Sequence, residues 1–67
     1  MILYTVYKNP IDYPGKFVVR RFENDVPDAT PLAVETTIEQ ARSAIPEGFY
    51  NIGRCPDDEP QILEVHI

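Results

Sequence analysis

The sequence predicts an α+β domain, a small antiparallel sheet of about four strands with one short helix packed on one face. Two observations predict the sheet. β-Branched and aromatic runs at residues 4–7 and 16–22 flank a segment holding Pro10, Pro14 and Gly15, the signature of two strands joined by a structured turn. A second pair of such runs, residues 49–54 and 61–67, flanks Cys55-Pro56-Asp57-Asp58-Glu59-Pro60. Between the pairs lies the one stretch with both a helix-start signal and helical periodicity, and this third observation adds the helix. Strands followed by a helix and more strands read as one antiparallel sheet covered on one side, a single domain over residues 1–67.

The first strand spans about residues 2–7. With Tyr7 opposite Lys16, side-chain alternation puts Ile2, Tyr4, Val6, Phe17 and Val19 on one face, the expected core. Leu3, Thr5, Tyr7, Lys16, Val18, Arg20 and Phe22 fall on the other, which stays open. Five of the seven aromatic residues of the chain lie between Tyr4 and Phe22, so this hairpin is where recognition is sought first. From Glu23 to Pro31 the residues Asn24, Asp25, Pro27, Asp28 and Pro31 signal an exposed connection. Leu32-Ala33-Val34 either adds a short strand or leads toward the helix.

Thr36 or Thr37 supplies the helix N-cap, with Glu39 or Gln40 three residues on. Ile38, Ala41 and Ile45 then recur on one face, and Pro46 and Gly48 end the helix. Two to three turns are too short to persist alone, so this helix must draw its stability from the sheet. In the last strand pair, Arg54 opposite Gln61 places Tyr50 and Ile52 on the core face with Leu63, Val65 and Ile67. Phe49, Asn51, Ile62, Glu64 and His66 are then expected on the open face.

Composition narrows the function. Eleven Asp and Glu against six Lys and Arg give a net charge of −5, which opposes attraction to a phosphate backbone, so nucleic-acid binding is not expected. The N-terminal residues lack the regions of a signal peptide, and no apolar run approaches the roughly 18 residues of a membrane span. The single Cys55 cannot close an intramolecular disulfide, which favours a cytoplasmic setting. A thin core, inherent in so short a chain, leaves room for partner binding or homo-oligomer formation.

Catalytic groupings are not found. Cys55 and His66, the one thiol and the one imidazole, are separated by the expected hairpin by roughly 20 Å at ~3.3 Å per residue, far beyond hydrogen-bond reach. Asp57-Asp58-Glu59 lacks the alternating ligand spacing and central glycine of a calcium loop and reads as a solvated hairpin tip. One His and one Cys do not make a zinc site within a chain. Gly15, Gly48 and Gly53 are too scattered to cradle a phosphate. No enzyme activity, metal or cofactor is therefore expected.

The candidate binding residues are those an open sheet face and a stiffened loop would offer: Tyr7, Asp12, Tyr13, Arg20, Phe22, Phe49 and His66. Aromatic side chains and arginine concentrate binding energy at protein interfaces, and a loop stiffened by Pro10 and Pro14 loses less entropy when it engages a partner. The bland reading of Arg20 is a solvated strand charge paired with a nearby acid. That of Tyr13 is a ring folded back over the small core.

The runs Tyr4-Thr5-Val6-Tyr7, Asn9-Pro10, Asp12-Tyr13-Pro14, Val18-Val19-Arg20-Arg21-Phe22, Ala41-Arg42-Ser43-Ala44-Ile45-Pro46-Glu47-Gly48 and Pro56-Asp57-Asp58-Glu59-Pro60 are spread over most of the chain. In them the sequence resembles a set of small proteins of phages and proteobacteria. The resemblance brings no catalytic motif. It implies a bacterial cytoplasmic setting and a bacterial protein as partner, bound and blocked as by a phage-type inhibitor of a host or defence protein. Two other functions are expected as alternatives. One is an oligomeric binder or sponge for an anionic metabolite around Arg20, His66 and Tyr7. The other is a structural homodimer formed by pairing strand edges.

Overall fold

The structure, a computed structural model, describes residues 1–56 and 58–67. Its elements are β1 (Ile2–Lys8), β2 (Phe17–Glu23), β3 (Val26–Pro27), β4 (Ala33–Glu35), α1 (Ile38–Ser43) and β5 (Ile62–His66). They form an antiparallel five-stranded sheet in the order β3-β2-β1-β5, with β4 also paired to β2. Because β1 occupies one edge of β2 along its whole length, β3 and β4 share the other, at opposite ends. This is the expected α+β arrangement of sheet plus one short helix.

The central hairpin pairs Tyr7 with Val18 and Lys8 with Phe17. Tyr7 was expected opposite Lys16, so the register differs by two residues. A shift of two leaves every side chain on its expected face, because alternation has a period of two. Ile2, Tyr4, Val6, Phe17 and Val19 accordingly all belong to the core cluster or pack against it. The loop sets the register. Asn9 N–H donates to the Lys16 carbonyl at 2.8 Å, so the paired stretch runs past Lys8 before the chain turns. Asn9 sits at φ 53, and its Oδ1 accepts from Gly15 N–H at 2.6 Å, holding the two ends of the turn together.

The exposed connection expected after Glu23 contains a second, tight hairpin. Glu23 pairs with Val26 across Asn24 and Asp25, whose φ values of 50 and 68 are those a two-residue primed turn requires. Pro27 lies in β3 at the rim of the sheet, where its missing donor does not interrupt an interior ladder. After it, Asp28 N–H donates to the Arg21 carbonyl and Leu32 N–H to the Val19 carbonyl, and the chain then enters β4.

Thr37, of the two candidate caps, starts the helix: its hydroxyl accepts from Gln40 N–H at 3.2 Å. Thr36 instead donates its hydroxyl to Gln40 Oε1 at 3.0 Å. Ala41 is fully buried against Tyr4, Val6 and Val19, and the half-buried Ile45 packs at the margin of this cluster. The small alanine lets α1 approach β2 and β4 closely.

The C-terminal region departs most from expectation. Residues 50–53 form a hydrogen-bonded strip beside β5 with one bridge, Asn51 to His66, and no full strand. Pairing of β1 with β5 sets Tyr4 opposite His66 and Val6 opposite Glu64, so Glu64 and His66 stand on the helix side of the sheet. Phe49 joins them there, packed against the core. Tyr50 and Ile52, expected inside, are exposed, and Val65 shares the outer face with Thr5. The expected sidedness of this strand pair is thus reversed, because pairing with β1 fixes it and alternation within residues 61–67 does not reveal that pairing. Ile62 escapes the reversal: a register shift between Val6 and Tyr7 sets it opposite Tyr7, on the outer face as expected.

Candidate functional site

The helix covers one face of the sheet and leaves the other to be covered by loops. The 9–16 loop takes one half of that outer face. Asp12 reaches Arg20 of β2 with its carboxylate 2.9 Å from Nη2, Pro10 is buried, and Val18, on this outer face, is only 1% exposed. The other half stays open as a hollow of about 440 Å³, within the roughly 300–1,000 Å³ range of binding clefts. Its floor comes from strands: Leu3, Thr5 and Tyr7 of β1, Phe22 of β2, and Ile62 and Val65 of β5. Its walls come from Met1, Ile52, Cys55 and Ile67, and among the described residues Asp25 and Asp58 bring side-chain carboxylates to it.

The floor is apolar because β1 is apolar on both faces, with Leu3 and Tyr7 directed away from the helix. The walls follow from the strip beside β5. Reciprocal bonds between Tyr50 and Ile67, and bonds from Ile52 N–H to the Val65 carbonyl and Val65 N–H to the Gly53 carbonyl, hold Ile52 at the edge of the hollow. Asn51 Oδ1 accepts from Gly53 N–H at 2.8 Å and supports the bend. Asp58 is placed by its own carboxylate, which accepts from Cys55 N–H at 2.9 Å.

Tyr7 lies between this hollow and a smaller one of about 140 Å³ that it shares with Pro10, Ile11, Glu59 and Gln61. Burial pushes its phenol above the ordinary tyrosine range, and the Glu59 carboxylate adds to the rise. The phenol stays protonated at neutral pH and keeps its O–H donor.

Of the seven expected binding residues, Tyr7 and Phe22 line the hollow. Arg20 shares their face but is occupied, spanning the Asp12 carboxylate and the Asp28 carbonyl at 3.3 Å. Asp12 is its partner. Tyr13 is half-buried within the loop, its N–H donating to the Pro10 carbonyl and its carbonyl accepting from Lys16 N–H. Phe49 and His66 are corrected to the opposite side. The Phe49 ring stands edge-to-face on Tyr4 with centroids 4.9 Å apart, and His66 is buried with Nε2 against Glu64 Oε2. Sequence reading assigned Ile52 and Ile67 to the core and gave Leu3 no role. Leu3 on the open face was the available signal, since a solvated face does not need a large aliphatic group there.

Beneath the helix, Glu64 is 4% exposed and accepts from Arg42 at three contacts of 2.6 to 3.3 Å and from His66. The Arg42 hydrogen bonds hold its carboxyl below the usual range against the opposing effect of burial. This cluster satisfies a buried charge and pins α1 to β5. Cys55 borders the outer hollow while His66 faces the helix, so the two lie on opposite sides of the sheet. Among the described residues no three His, Cys, Asp or Glu side chains gather to hold a metal. Of the acidic run 57–59, Asp57 lies outside the described residues. No helix among the described residues is long and apolar enough to cross a membrane.

Compared with protein-family profiles, curated proteins and solved structures, the chain has no significant match.

Proposed function

We propose that the protein is a binding module that seats a partner protein in the hollow on the outer face of its sheet. The observation that carries this reading is one concave surface with an apolar floor and exposed large apolar side chains on its walls. Met1 is 74% exposed, Ile52 56% and Ile67 41%, all three on the walls of a hollow floored by Leu3, Phe22 and Val65. Exposed apolar surface gathered around one hollow, unlike single scattered residues, marks an interaction site. The covered half of the same face, where Asp12 pairs with Arg20, borders the hollow. In its narrower form, suggested by the resemblance to small phage and proteobacterial proteins, the module blocks a bacterial host or defence protein.

The test is capture from a bacterial lysate with wild type, Ile52→Asp and Leu32→Asp as baits. Leu32 is exposed but does not line the hollow, so its variant controls for general stickiness. The proposal expects a partner retained by wild type and Leu32→Asp and lost by Ile52→Asp. Equal retention by all three excludes the hollow.

The two alternatives receive less support. Arg20 and Tyr7 are on the outer face and His66 on the helix face, so the three groups of the anionic-metabolite site do not converge within one chain. The free edge of β2 is taken up by β3 and β4, and that of β5 by residues 50–53, leaving little long-strand edge for homodimer pairing.

A further inference from the structure

We infer that the occupant of the outer hollow is a cationic amphipathic helix of the partner, with large aliphatic side chains on the apolar floor and Lys or Arg residues against Asp25 and Asp58. This rests on the reading of the hollow as a docking surface and adds the chemistry of what docks. The two carboxylates bracket the floor. Asp25 is in the β2–β3 turn beside the Met1 end of β1, and Asp58 precedes the Gln61–Ile62 stretch that meets Tyr7 and Lys8 at its other end. Leu3 to Tyr7, the stretch between them, spans roughly 13 Å, about nine residues of helix rise. Of the cations about the hollow among the described residues, the Met1 ammonium donates to Asn24 Oδ1 at 2.6 Å, Arg20 is paired with Asp12, and Arg54 Nη2 donates to the Asp58 and Glu59 carbonyls at 2.8 and 3.4 Å. At the Tyr7 end, Glu59 and Asp58 act against the opposing charge of Arg20.

Charge therefore selects among occupants. A second copy docked about a two-fold axis would bring the same acidic rim against itself, on a chain whose net charge is already −5. An extended segment added to the sheet would need a long free edge, and those edges are covered by β3, β4 and residues 50–53. A helix laid across the face needs neither, and its flanking cations meet the Asp25 and Asp58 carboxylates at the two ends of a largely apolar floor.

Cys55 makes this measurable without a label, because it is exposed, is the only cysteine and borders the hollow. The probes are three synthetic helical peptides of about four turns: one of Leu and Lys with all Leu on one face, its Leu and Glu counterpart, and a Ser and Lys peptide without an apolar face. The rate of Cys55 alkylation is followed as each is added. The expected result is protection by the Leu/Lys peptide alone, weakened by added salt and weakened roughly fivefold in Asp25→Asn/Asp58→Asn. Both substitutions keep the fold within reach: Asn tolerates the φ of 68 at position 25, and its Oδ1 can accept from Cys55 N–H at position 58. An unchanged circular dichroism spectrum checks this. Protection by the Leu/Glu peptide at equal concentration, or indifference to the double variant, overturns the cationic occupant and leaves the docking surface standing. Leu/Lys binding without protection of Cys55 overturns it as well. The docking surface itself falls if Ile52→Asp keeps the captured partner.

Discussion

Arg42, in the last turn of α1, grips the buried Glu64 carboxylate on β5 with two donors, Nη2 at 2.6 Å from Oε1 and Nε at 3.1 Å from Oε2. A cation at a helix C-terminus is already favoured by the helix dipole. Here it also ties a helix packed over β2 and β4 to the far strand of the sheet. Replacing it by Arg42→Ala leaves Glu64 desolvated with His66 as its remaining partner, and is expected to cost roughly 1–3 kcal/mol. The change in urea midpoint at constant slope measures it.

The same pair sets the acid response. Hydrogen bonds from Arg42 lower the Glu64 pKa, so the folded protein binds this proton less readily than the unfolded chain does. The resulting stability is fully present above the unfolded glutamate value of about 4.3 and is lost as pH falls through the lower folded value. Unfolding followed from pH 7 to pH 2 is expected to show a fall beginning near pH 4 to 5. In Glu64→Gln that component disappears. In Arg42→Ala this component shrinks or reverses, since burial, which raises the folded pKa toward or above the unfolded value, loses its main opposition.

Phe49 and Ile52 are expected to behave in opposite ways. Phe49 stands edge-to-face on Tyr4 in the core cluster, so Phe49→Ala should cost about 2–3 kcal/mol, somewhat below the usual figure for a fully buried ring. Ile52→Asp replaces an exposed side chain and should change stability by no more than about 0.5 kcal/mol. Thermal unfolding of both variants checks the sidedness of the C-terminal segment; the opposite ranking would restore the sidedness expected from alternation.

The turn at Asn9 offers a separable test. Asn9→Ala removes both the tolerance for φ 53 and the bond to Gly15 N–H, and is expected to cost about 1–2 kcal/mol. Asn9→Gly keeps the backbone freedom and loses only the bond, so it should cost less. Equal losses would mean that the backbone conformation contributes little.

How legible these features were in the sequence depended on what fixes each of them. The two faces of β1 and β2 were readable because a register error of two residues preserves alternation, and Val6 and Val19 landed in the core despite it. The helix was readable from Thr37, Gln40 and Ala41, all local signals. The outward face of β5 was not readable. It depends on pairing with β1, a contact between residues some sixty positions apart, and on an ionic cluster that makes burial of Glu64 tolerable. Phe49 and His66 were misplaced for that reason. Part of the candidate site, Tyr7 and Phe22, was legible in the hairpin; another part, Ile52 and Ile67, looked like core because aliphatic residues in a strand-like run usually are.

The most direct measurement is the alkylation rate of Cys55 in complex with the partner that wild type retains. The docking account expects Cys55 to be protected in the wild-type complex and to react at the free rate when the same partner is mixed with Ile52→Asp. Alkylation at the free rate within an intact wild-type complex would contradict it, because the partner would then be held somewhere other than the outer hollow.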